Sequence, residues 1–146
     1  MRFTNLIVIH CSATCCDRSY TEHDLTTDHL SQGFFGAGYH YYIRRNGDIK
    51  TLRPMTQPGA HVRGYNAHSL GICYEGGLDA RGNPKDTRTP EQRSALHLLV
   101  HQLLQQFRNA RVCGHRDLSP DLDGDGKVEP WEWVKQCPCF EVSKEF

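Results

Sequence analysis

Four residues, drawn from the two ends of the chain, are of the types that hold a metal ion and use it. His115 stands in Cys113-Gly114-His115-Arg116-Asp117, Cys137 closes Lys135-Gln136-Cys137-Pro138, and His10 ends the apolar run Leu6-Ile7-Val8-Ile9. Two neutral imidazoles and one thiolate give zinc three protein ligands and leave a fourth position for water, the pattern of a catalytic rather than a closed structural site. Lys135, two residues before the thiol, is the cation that completes the set. Cys139 rivals Cys137 as the ligand, but only Cys137 has a lysine two residues before it and a proline after it.

The elements that must position these residues follow from patterning. Residues 3 to 10 are rich in β-branched types, and their unbroken apolar run suits a strand covered on both faces, in the middle of a sheet. Thr21 with Asp24 three residues on forms a capping box for a short helix ending near Gly33. Asn46-Gly47 between Tyr39–Ile43 and Asp48–Leu52 signals a hairpin. From Pro54 to Ser69 the pattern dissolves into an irregular surface segment, and Leu70 to Tyr74 reads as another strand. Thr89, Pro90 and Gln92 cap the longest helix, which extends to about Asn109 with Leu96, Leu99, Val100, Leu103, Leu104 and Phe107 on one face. A short strand from Arg111 feeds His115, and Pro130 to Gln136 reads as a final short helix. Strands interleaved with helices, plus one hairpin, predict an α/β fold, a single domain over residues 1–146 with a mixed central sheet flanked by helices.

Composition narrows the partners. Lys plus Arg and Asp plus Glu are both 17, so no basic field exists to hold nucleic acid. The chain has no apolar run of about 18 residues, which argues against membrane insertion. No charged start with an apolar core and cleavage site opens it, so synthesis in the cytoplasm without an export signal is expected. Seven cysteines without a C-x-x-C pair point to mostly free thiols made in a reducing compartment. A monomer is expected.

With these pieces placed, the chain resembles the zinc-dependent N-acetylmuramoyl-L-alanine amidases, and within them the small bacteriophage lysozymes that are amidases; the peptidoglycan recognition proteins are similar in fold. The matching stretches are Ile9 to Thr14, Gly38-Tyr39-His40-Tyr41 with Asn46-Gly47, His61 to Ile72, Gly76-Gly77, Gly114 to Asp117 and Lys135 to Pro138. Each is short, but they come in the family's order across residues 6 to 140. The resemblance implies that His10, His115 and Cys137 ligate zinc, that Tyr39 and Lys135 are the catalytic pair, and that His61 and Asn66 line the substrate groove. His40 joins that substrate-binding set, or is simply the strand's other face. It further implies hydrolysis of the amide between N-acetylmuramic acid and L-alanine in peptidoglycan, by a phage, prophage or mobile-element lysis protein acting on the bacterial cell wall. The alternative is a non-catalytic peptidoglycan-binding module on the same fold, which would be expected to lack a ligand or the tyrosine.

Amide hydrolysis at neutral pH needs a strong nucleophile, a stabiliser for the oxyanion and a proton for the departing amine. Zinc addresses the first two. Tyr39 and Lys135, the latter expected to be partly desolvated, jointly cover oxyanion stabilisation and proton transfer. His23, His29, His97 and His101 lie in helical patterns and are expected to do nothing chemical.

One stretch departs from the family pattern. Asp121 to Glu132 matches the twelve-position EF-hand loop, with acids at Asp121, Asp123, Asp125, Glu129 and Glu132, glycine at position 6 and Lys127 at position 7. Calcium is expected there, in a structural role that holds Pro130 to Gln136.

Overall fold

The strand that ends on His10 is β1, Leu6–Cys11, buried at every position. The computed structural model describes residues 2–146. After β1 come β2 (Thr14–Cys15), α1 (Glu22–Ser31), β3 (Tyr41–Ile43), β4 (Ile49–Thr51), β5 (Ser69–Tyr74), β6 (Gly77–Leu78), α2 (Pro90–Gln106) and β7 (Arg111–Gly114). Five strands form one sheet in the order β4-β3-β5-β1-β7, parallel except for the β3–β4 pair, and β2 pairs with β6 beside it. The central strand is therefore β5. β1 lies next to it, an interior strand covered on both faces as its apolar run requires.

Alternation along the strands assigns the two faces. Ile7 and Ile9 of β1 and Leu70, Ile72 and Tyr74 of β5 meet Leu96, Leu99, Val100 and Leu103 of α2 in the main core. Leu6 and Val8 point the other way, with Val62 and Cys113, while Tyr42 and Cys73 pack with Leu25 of α1. His10 follows Val8 at a spacing of two, and His115 follows Cys113 at the same spacing. Because Ile9 is paired with Gly114 in a parallel ladder, these two histidines emerge side by side at the carboxyl ends of neighbouring strands. That end of an open α/β sheet is where ligands ordinarily bind.

The capping boxes form as the sequence reads. The Thr21 hydroxyl accepts from Asp24 N, and the Thr89 hydroxyl accepts from Gln92 N, with the reciprocal bonds also present. The hairpin signalled by Asn46-Gly47 forms with a three-residue loop: Arg44 N donates to Asp48 O, and Gly47 closes the turn at φ 92°, a left-handed conformation open to glycine. Two expectations need correction. α2 stops at Gln106, because Phe107 leaves the helix at φ −116° and ψ 74° while its N–H still bonds Leu103 O. The helix expected over Pro130 to Gln136 shrinks to one 3₁₀ turn, Pro130–Glu132; Trp133 is already extended, and Val134 N donates to the Ser119 hydroxyl instead of continuing the ladder. Lys135 and Cys137 consequently come from irregular backbone.

Candidate active site and metal centre

His10, His115 and Cys137 each offer one ligand atom, and these atoms lie within 4.8 Å of one another. They converge from three directions: the end of β1, the end of β7 and the C-terminal segment. Cys137 Sγ is held by the Cys11 backbone N–H at 3.1 Å, so the strand that carries His10 also orients the thiol. Burial, reinforced by His61, His115 and Lys135, holds the His10 pKa well below the ordinary histidine value. Burial and then Lys135 bring His115 down to about 4. Both rings are thus neutral near pH 7, with a lone pair each to give. Two neutral imidazoles with one thiol at this separation fit zinc, and no fourth His, Cys, Asp or Glu closes the group among the described residues.

His115 and Cys137 line a cleft of ≈ 300 Å³ with Tyr39, His61 and Lys135, and His10 lies buried behind its wall. The Tyr39 ring lies 4.9 Å from that of His10, centroid to centroid. Burial, then the neighbouring Cys73 thiol, push its pKa well up, so the phenol keeps its proton. Its backbone is fixed by Gly38, where a side chain would run into the Ala60 carbonyl. Lys135 is exposed rather than partly desolvated. A second groove of ≈ 360 Å³, with Val62, Arg63, Leu118 and Val134 in its walls, shares His115 and Lys135 with the cleft. The candidate metal centre thus has accessible surface on two sides, room for an extended ligand.

The groove residues expected from the resemblance are placed differently from one another. His61 lines the cleft, yet its Nδ1 lies 2.9 Å from His10 Nε2 and its Nε2 lies 3.1 Å from the Ser69 hydroxyl. Asn66 accepts from the His61 and Val62 backbone N–H groups at 2.9 and 3.0 Å, so it shapes the loop that forms the wall. His40 is fully buried, with Nδ1 accepting from Gly71 N and Nε2 against Gln57 O and Arg2. It belongs to the strand's other reading, a packing residue with both ring nitrogens engaged, and the substrate-binding expectation for it is corrected. His29 is a correction in the opposite sense. It lines the cleft, and its Nδ1 accepts from Gly38 N at 2.7 Å, next to Tyr39. Nothing in its helical register marks that role, which depends on where the 34–38 loop returns. Cys11 was likewise unmarked, and its contribution to Cys137 is made by the backbone.

The acidic loop folds on itself. Ligand atoms from Asp121, Asp123, Asp125 and Glu132 also lie within 4.8 Å of one another. Asp121 accepts from the Gly124 and Gly126 N–H groups, and buried Glu132 accepts from those of Leu122, Asp123 and Glu129. Lys127 N donates to Asp125.

The family model for N-acetylmuramoyl-L-alanine amidase matches residues 1–138. The chain is 35% identical over 141 residues to an endolysin of Enterobacteria phage K11, covering 97% of this chain and 84% of that one. It is 36% identical over 141 residues, with the same coverage, to an endolysin of Klebsiella phage KP32. Among solved structures, the N-acetylmuramoyl-L-alanine amidase LysC from Clostridium intestinale URNW superposes with a TM-score of 0.74 at 27% identity, over 99% of this chain and 82% of that one.

Proposed function

The chain belongs to the N-acetylmuramoyl-L-alanine amidase family, and from that premise we propose that it is a zinc hydrolase cutting the amide between the lactyl group of N-acetylmuramic acid and L-alanine, in lysis of the bacterial cell wall. The observation that carries the reading is the convergence of His10, His115 and Cys137 at a cleft lined by the latter two together with Tyr39 and Lys135. A binding module would have no use for that whole set. When bound, zinc supplies Lewis acidity, which lowers the pKa of a bound water from about 15.7 to about 7 and polarises a carbonyl.

The chain's own residues do the rest. His10 and His115, kept neutral by burial, offer lone pairs without first losing a proton. Tyr39 stays protonated, so its O–H is a donor for the carbonyl oxygen as that oxygen gains charge. Lys135, at the open edge between cleft and groove, is placed to supply a proton to the departing amine. The cleft and groove on either side of the centre suit a bond with a glycan on one side and a peptide on the other. All the proposed site residues come from one chain, and we take the active form to be a monomer. No helix among the described residues is long and apolar enough to cross a membrane; the reading is of a phage or prophage lysis protein.

Calcium in the 121–132 loop is the finer part of the same reading, with Asp121, Asp123, Asp125, Glu132 and the Lys127 carbonyl as ligands and a structural role for the segment before Lys135. Titrating calcium with zinc saturating should raise the melting temperature, and Asp121→Ala should abolish the rise; no rise in the unmodified protein returns the loop to an ordinary acidic turn. For the amidase itself, the test is chelation and zinc restoration of activity on purified peptidoglycan.

A further inference from the structure

We propose that His61 is a positioning residue for His10: it holds the His10 ring through Nε2 and so leaves Nδ1 as the atom that faces the metal. The inference rests on the zinc reading above. The two rings meet edge to face, centroids 4.9 Å apart at 87°, with His10 Nε2 and His61 Nδ1 separated by 2.9 Å. That spacing is shorter than the roughly 3.3 Å between two nitrogens bound tetrahedrally at about 2.05 Å from one zinc ion. His61 is therefore a partner of the ligand and not a fourth ligand, in keeping with its absence from the converging group.

The ring of His61 is built into its place. A side-chain carbon at Gly71 would stand 2.8 Å from its Cγ, and one at Gly59 would stand 2.6 Å from its Cδ2, so both glycines leave the space that the ring fills. Asn66 fixes the backbone by accepting from the His61 and Val62 N–H groups, and the Ser69 hydroxyl meets Nε2 at the far side. Proton accounting then allows one arrangement. A neutral imidazole has one N–H and one lone pair. If His10 gives its Nδ1 lone pair to a metal, its proton is on Nε2 and is donated to His61 Nδ1. His61 must then carry its own proton on Nε2, where Ser69 Oγ accepts it. Ser69, His61 and His10 form a relay of fixed direction, of the kind that sets the tautomer and ring angle of metal-binding histidines.

The test compares the unmodified protein with His61→Leu, which keeps bulk without a polar partner, and His61→Asn, whose amide reaches the place of Nδ1. Each is loaded with cobalt(II) as the probe, and the visible spectrum, affinity against a competing chelator and melting temperature are read. The expected result is about 10- to 100-fold weaker binding and an altered spectrum for His61→Leu, with substantial recovery of both in His61→Asn. Unchanged cobalt binding and spectrum in His61→Leu, with amidase activity lost, would overturn the proposal and make His61 a substrate contact. Equal loss in both variants, tracking an equal fall in melting temperature, would overturn it in favour of packing alone. Failure of the unmodified protein to bind cobalt or zinc would remove the metal reading and the proposal with it. Should His61→Leu not fold, nitrogen-15 NMR of the histidines in the cadmium-loaded unmodified protein decides: metal coupling at Nδ1 of His10 with a proton on Nε2 is expected, and the reverse overturns the proposal.

Discussion

The two sides of the proposed metal centre are built in different ways. His10 and His115 project from adjacent parallel strands, β1 and β7, whose register alone puts them side by side. Cys137 and Lys135 arrive on a segment whose last helical turn ends at Glu132. Individual contacts hold that segment: Arg116 over the Trp133 ring at 3.8 Å, Arg88 over Phe140 at 3.4 Å, the Tyr74 hydroxyl donating to Pro138 O, and Cys11 N donating to Cys137 Sγ. The strand side is set by the cooperative sheet, whereas the segment side is set by a few separable interactions plus whatever the metal adds. Metal binding should therefore act mainly as the clasp of the C-terminal segment.

The largest expected effect breaks the clasp at its covalent end. Cys137→Ser should lose zinc affinity by more than about 100-fold and amidase activity with it, because a hydroxyl is a far poorer zinc ligand than a thiolate. Cys139→Ser should keep both, although Cys139 Sγ lies 4.0 Å from Cys11 Sγ, close to the centre. Metal analysis with a competing chelator checks this, and the opposite pair of results would move the ligand by two residues. Next in size is Tyr39→Phe, on the ordered side. Loss of one donor to the developing oxyanion should lower kcat by about 10²- to 10³-fold with zinc still bound; metal loss in this variant would make Tyr39 part of the metal site instead.

The legibility of the sequence followed the same division. His10 and His115 could be picked out because each stands at the end of a strand-like run, a local pattern, within stretches that match the family in order, and the two capping boxes, Thr21–Asp24 and Thr89–Gln92, form at the residues that spell them. The path of residues 133 to 140 could not be read, since Val134 is tied to Ser119 and Pro138 to Tyr74, partners 15 and 64 positions away. The same holds for His29, His40 and His61. The resemblance singled out His40 and His61 and the helical pattern set His29 aside, but which nitrogen of each ring is engaged depends on how the 34–38 and 54–69 loops return to the sheet.

Removal of zinc sharpens the comparison on a smaller scale. Amide hydrogen exchange in the chelated protein should speed up across residues 133 to 140, while β1 and β5 keep their protection, since their ladder needs no metal. A uniform loss of protection would mean that the two sides are one cooperative unit. A gentler effect is expected from pH in the same metal-free state. Burial, the first cause in each case, lowers His40 and His115 to about 4 and His61 to about 3. Groups held below their unfolded value of 6.5 favour the folded state above that pH. As the pH falls through 6.5, the unfolded chain takes up protons that the folded chain refuses until about 4 or about 3, so stability should drop across that interval. Urea unfolding at pH 7, 6 and 5 reads the slope, which should approach roughly four protons taken up on unfolding once His10, also held down by burial, is counted with these three. A flat profile would contradict the burial of these rings.

The central claim is that this cleft uses one metal to cut one bond, and mass analysis of purified peptidoglycan after digestion tests it most directly. The protein as prepared should release free stem peptides beginning with L-alanine and leave glycan strands whose N-acetylmuramic acid carries an unsubstituted lactyl carboxylate. Chelation should abolish those products, and stoichiometric zinc should restore them. Cleavage between sugars or within the peptide, or an undiminished yield of the same products from metal-free protein, would contradict the account.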